Sequence, residues 1–116
     1  MKLETRNIIQ KNCQFTHSSN VEGVLTTIHP NSELYSHTKN ELESLFDAYQ
    51  LGVSLTGFRY MGKDKNYAYV RAQQKTERVA GPEFKDSIID QMIVFKQDGD
   101  DWKIWTTAIL NIKYID

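Results

Sequence analysis

The stretch Asp101-Trp102-Lys103-Ile104-Trp105-Thr106-Thr107-Ala108-Ile109-Leu110-Asn111-Ile112 decides how this chain is read. Large apolar side chains stand at both odd and even positions, whereas a strand with one wet face alternates apolar with polar. The run therefore reads as the core of a strand, residues 102–115, buried on both faces. Three strand-like runs precede it. Residues 53–61 end at the turn Gly62-Lys63-Asp64-Lys65-Asn66, residues 67–79 at Ala80-Gly81-Pro82, and residues 84–97 at Asp98-Gly99-Asp100. Strands this long exceed the usual length of roughly five to six residues. The sheet they make must twist and bend, leaving a concave side.

The first half of the chain supplies helices to cover that side. Residues 2–16 form a modest helix candidate with Ile8, Ile9 and Phe15 on its apolar side. Ser19-Asn20-Val21-Glu22 has the capping-box pattern, Val21, Val24, Leu25 and Ile28 follow at helical spacing, and Pro30 stops continuation. Residues 29–37 read as a loop with Leu34-Tyr35 extended. A second capping box, Thr38-Lys39-Asn40-Glu41, opens a helix with Leu42, Leu45, Phe46 and Tyr49 on its inner stripe and Gly52 at its end.

With 116 residues and a formal net charge of −1, the chain is one domain, 1–116, without the basic excess of a nucleic-acid binder. No apolar run approaches the roughly 20 residues that cross a bilayer, and the first ten residues lack the pattern of a secretory signal. The single cysteine, Cys13, excludes an internal disulfide and fits a reducing cytoplasm. No histidine pair has metal-ligand spacing, so neither a metal nor another cofactor is expected. A Gly-x-Ser-x-Gly elbow and a phosphate-cradling glycine loop are also absent.

In this order of elements the chain resembles the nuclear transport factor 2-like superfamily, with its SnoaL-like and ketosteroid isomerase-like members. Asn20-Val21-Glu22-Gly23-Val24-Leu25, Asn66-Tyr67-Ala68-Tyr69-Val70 and Gly99-Asp100-Asp101-Trp102-Lys103-Ile104 carry the likeness. The resemblance implies an α+β cone of N-terminal helices on a strongly curved antiparallel meander, usually dimeric, in a superfamily of both enzymes and non-catalytic modules.

Pairing the strands about their turns sets Gln73 opposite Asp90, Arg71 opposite Met92 and Met92 opposite Thr106. Tyr69, Arg71, Gln73, Asp90, Met92, Val94, Ile104 and Thr106 then share one face. That face is taken as the pocket side because Trp102 and Ile104 lie on it. The other face, with Trp105, Thr107, Ile109, Asn111, Ile93 and Gln91, fits a homodimer through the outer side of the sheet. Tyr35, Phe46, Tyr49, Tyr69, Arg71, Met92 and Thr106 are the expected ligand-binding residues.

Asp90 lies in Ile88-Ile89-Asp90-Gln91-Met92-Ile93-Val94, where a lone carboxylate is costly. Three readings stand open: a general base of raised pKa, an ion pair with Arg71, or solvent exposure. His29 either caps a helix end or serves as an acid or base at the pocket mouth. The leading functional expectation is a homodimeric small-molecule binder for apolar ligands, with no assignable reaction. The alternatives are proton transfer on a small carbonyl compound with Asp90 as base, and a protein-interaction module without an open pocket.

Overall fold

The computed structural model describes residues 1–83 and 85–115. Three helices, α1 (Lys2–His17), α2 (Val21–Thr26) and α3 (Leu34–Ala48), precede four strands, β1 (Gln50–Lys63), β2 (Tyr67–Ala80), β3 (Ser87–Asp98) and β4 (Asp101–Tyr114). The strands form one antiparallel meander in the order β1-β2-β3-β4, so β1 and β4 are its edges. The expected helix–sheet order holds. Of the third strand as expected from sequence, Phe84 lies outside the described residues.

Several boundaries move for local reasons. The cap of α2 is Asn20 rather than Ser19: its Oδ1 accepts from the Gly23 N–H at 2.9 Å, while Ser19 takes a left-handed φ of 55°. Helix α3 starts a turn early, at Leu34, so the Thr38–Glu41 capping pattern lies inside the helix and caps nothing. The loop before it is held by the Ser32 side chain, whose Oγ accepts from the Leu34 N–H at 3.1 Å and donates to the Trp105 carbonyl at 2.5 Å. At the other end of α3, Gly81 sits at φ +117°, and a side chain there would run into the Ala48 carbonyl.

The core lies between the helices and one sheet face. Ile9, Cys13, Val24, Leu25 and Ile28 pack from the helices against Ala68, Val70, Ala72, Ile93, Phe95, Trp102 and Ile104. This exchanges the two faces of the sequence reading. Gln73 does stand opposite Asp90, and Arg71 opposite Met92, but these residues face away from the helices.

The cause is a pair of bulges in β4. Phe95 pairs with Ile104 but Val94 with Thr106, leaving Trp105 as an extra residue; Gln91 pairs with Ile109 but Asp90 with Asn111, leaving Leu110. Each bulge reverses the alternation of side chains. The concave face therefore runs through Trp102 and Ile104, then Thr107 and Ile109, then Ile112 and Tyr114. Apolar groups at both parities are one face changing phase twice, not two buried faces.

The helices cover only part of this face. Trp102 and Ile104 are buried, whereas every residue of β4 from Thr106 to Tyr114 is exposed. Helix α3 contributes no fully buried residue; its Leu34, Tyr35 and Leu42 pack only part-buried against the core. No helix among the described residues is long and apolar enough to cross a membrane.

Candidate functional site

A cavity of about 310 Å³ opens between the three helices and the concave face. Its floor is apolar and buried: Ile9 from α1, Val24 and Ile28 from the α2 segment, Ile93 from β3 and Ile104 from β4. Neutral hydrogen-bonding groups border it, namely Asn12, Thr16, Gln74, Gln91 and Thr107. The Gln91 amide donates to the Gln74 carbonyl oxygen, and the Gln74 amide donates to the Cys13 Sγ at 3.1 Å. Asn12 Nδ2 donates to the Thr27 hydroxyl at 2.9 Å. The mouth is framed by Leu34, His37, Thr38, Glu41 and Leu42, a helical spacing that turns one face of α3 to the cavity. His37 and Glu41 pair with each other there at 3.1 Å, both largely exposed. Burial in the core behind Gln74 pushes the Cys13 thiol up from its ordinary pKa.

None of the seven expected ligand-binding residues lines this cavity. Tyr35 packs half-buried against the core. Tyr49 reaches past the end of α3 to the Glu83 carbonyl at 3.4 Å, and Phe46 lies half-buried farther along the same helix. Tyr69, Arg71, Met92 and Thr106 stand on the outer face. The Tyr69 hydroxyl donates to Asp64 Oδ2 at 2.8 Å, across the β1–β2 hairpin. His29 is buried as a turn residue: Nδ1 accepts from the Asn31 N–H at 3.1 Å, and its ring meets Trp105 edge-on at 5.1 Å.

Asp90 is also outside the cavity. Arg71 grips it with both ends of the guanidinium fork, Nε at 3.0 Å and Nη2 at 2.6 Å. That hydrogen bonding holds the carboxyl below its usual pKa, the reverse of a general base in an apolar pocket. Asp98, paired with Lys103, and Asp64, bonded to Tyr69, are lowered likewise.

The sign of the pH dependence follows. A carboxyl depressed in the folded state binds protons more readily unfolded, so its stabilisation is present above the unfolded value of about 3.9 and fades as pH falls below it. Urea midpoints measured from pH 7 to pH 3 should drop on the acid side. Asp90→Asn should lower the midpoint modestly at pH 7 and flatten that acid limb. A midpoint that rises with acidification would restore the raised-pKa reading.

Gln74, Gln91, Ile93 and Asn12 were missed as site residues. The paired glutamines stand opposite Ile89 and Ile109 in the ladders, on the same face as Ala72 and Ile93. Amides interrupting an otherwise apolar face were the available signal, obscured by the assignment of faces.

The family model for the C-terminal domain of anti-sigma-I factor RsgI9 matches residues 7–115. The chain belongs to this RsgI9_C family. The helix-then-meander α+β fold expected from the sequence is the observed one, whereas this family was not among the expectations. A conserved protein from Planctomyces limnophilus superposes with a TM-score of 0.79 at 15% identity, covering 97% of this chain and 96% of that one. A provisionally assigned aromatic ring hydroxylase from Novosphingobium aromaticivorans gives 0.77 at 13% identity, covering 98% and 92%. A nuclear transport factor 2-like protein of unknown function from Pseudomonas putida gives 0.75 at 10% identity, covering 93% and 84%. At such identities the likeness is one of fold. No curated protein matches the sequence.

Proposed function

We propose that this RsgI9_C domain is a binding module whose cavity holds a small, largely apolar, uncharged ligand. The observation that carries the reading is the cavity itself: a buried aliphatic floor, a border of neutral amides and hydroxyls, and an open mouth under α3. Its volume lies at the lower end of the range for small-molecule sites, about 300–1,000 Å³. An apolar body would sit on Ile9, Ile93 and Ile104, with one or two polar atoms meeting Gln91, Asn12 or Thr107. The name of the family model, an anti-sigma factor, favours a domain that reports on a ligand within a regulatory protein. Proton transfer is less favoured, because the titratable side chains lining this cavity, His37 and Glu41, contact each other at its exposed rim.

A thermal-shift series with phenol, indole and cyclohexanone as probes tests the reading. A probe at about 100 times its Kd should add roughly 2.7 kcal/mol of stability. Thr107→Trp, a change at an exposed lining position, should close the mouth and abolish that shift while leaving the unliganded melting temperature near its original value. Equal shifts in both proteins would place binding elsewhere and remove the proposal.

A further inference from the structure

The outer edge of β4 is protected along one half and bare along the other. At the protected end the loop after α2 pairs with it: Ile104 donates to the Thr27 carbonyl and accepts from the His29 N–H, each at 2.8 Å, and Ser32 holds the Trp105 carbonyl. Beyond Trp105 no hydrogen bond from the described residues reaches this edge. The bare segment, Thr106-Thr107-Ala108-Ile109-Leu110-Asn111-Ile112-Lys113-Tyr114, is rich in strand formers, has no proline and holds one charge, Lys113. Ile109, Leu110 and Tyr114 are 58%, 49% and 56% exposed. Natural sheet edges are normally blunted by charge, proline or brevity, and this one carries only a terminal lysine and a bulge.

We propose that a second copy of this chain covers the segment, the two β4 edges pairing antiparallel about a two-fold axis beside Leu110. Self-pairing suits the segment in two ways. The Leu110 bulge puts Thr107 and Ile109 on the concave face before it, and Ile112 and Tyr114 on that face after it. A two-fold half a residue to one side of Leu110 sets Thr107 against Ile112 or Tyr114, concave against concave, whereas an axis through Leu110 itself would pair Thr107 with Lys113 and Ile109 with Asn111 and oppose the two faces. The single charge also falls well: Lys113 meets a neutral residue across the axis, and the two lysines lie about 20 Å apart at ~3.4 Å per residue, beyond the screening length of roughly 8–10 Å. A heterologous charged strand would find little to recognise here.

The pairing joins two curved sheets edge to edge, a different assembly from the face-to-face homodimer expected from sequence. Of the residues expected to carry that dimer, Ile93 is buried in the core and Gln91, Thr107 and Ile109 share its concave face, while the true outer face exposes Arg59, Arg71 and Gln73. It also reaches the cavity. Thr107 lines the mouth, and the residue opposite it would be an apolar one from the far end of the second β4, either the partner's Ile112 or the partner's Tyr114. The dimer itself does not depend on the cavity's ligand.

Sedimentation of the whole chain from about 1 to 100 µM should show a monomer–dimer equilibrium that Leu110→Lys shifts to monomer. In a Cys13→Ser background, Leu110→Cys should form a disulfide-linked dimer on mild oxidation, because the two copies of position 110 lie one residue off direct opposition, at roughly 6 Å and inside the Cα range of about 4.4–6.8 Å for a disulfide. Arg71→Cys, on the outer face, should not cross-link. Circular dichroism confirms that each variant folds; the positions changed at the surface are exposed, and Cys13→Ser keeps a hydrogen-bonding side chain at that position. A monomer at 100 µM overturns the proposal. So does a dimer that cross-links through position 71 and not through 110.

Discussion

Phe95→Ala should lower stability by about 3–5 kcal/mol, a large part of the roughly 5–15 kcal/mol that holds a domain folded. Phe95 has no exposed surface and lies on the sheet face that α1 and α2 cover, opposite Ile104. Truncating the ring removes its transfer energy and leaves a void between layers held apart by other contacts. With a urea slope of about 2 kcal/mol per molar, the midpoint should fall by roughly 2 M. Val94→Ala, one residue earlier and half-buried on the opposite face, should cost about 1 kcal/mol. The contrast between neighbours tests which face is covered. Similar losses at both positions would mean that the outer face is buried too.

That contrast turns on the feature least legible in the sequence. The helices, the meander and its turns follow from local signals: capping oxygens, helical spacing, glycine-rich turns. The β2–β3 register was legible as well, because the pairing is centred near Gly81 and the ladder from Tyr67 to Thr76 runs unbroken. A bulge carries no comparable signal. Nothing in Ile104-Trp105-Thr106 says that Trp105 will be extra, yet that one residue moves Trp102 and Ile104 to the Phe95 face and takes Asp90 and Arg71 out of the pocket.

Where α3 begins had a similar cause. The Thr38–Glu41 pattern is a valid cap by sequence, but Ser32 holds the neighbouring strand and starts the helix earlier. A contact 73 residues away in sequence decided it. The candidate site inherited both errors. The cavity was expected from curvature, and its walls were assigned to the wrong parity. Asp90, an acid in an apolar strand, was legible only as one of three outcomes until Arg71 was placed beside it.

Gly23→Ala should destabilise the domain by about 2 kcal/mol, although alanine is the better helix former by about 1 kcal/mol. Gly23 is buried in α2 where α1 ends against it. A Cβ there would lie 2.5 Å from Phe15 Cγ and 2.8 Å from Asn20 Nδ2. Phe15 Cγ is close to the root of its side chain, so the ring cannot swing clear without leaving its place beside the core. Asn20 is the cap of this helix, and displacing its amide loses the bond to the Gly23 N–H, worth about 1 kcal/mol. Overpacking adds roughly 1–3 kcal/mol. The two penalties together exceed the gain in propensity. The effect reaches the cavity because Val24 and Ile28, carried by this segment, form part of its wall. Probe-induced thermal shifts should therefore weaken along with stability. Phe15→Ala combined with Gly23→Ala should cost less than the sum of the two single changes, since removing the ring makes room for the methyl group. If Gly23→Ala raised the melting temperature, the tight seat of α2 against α1 would be refuted, and with it the fixed position of that wall.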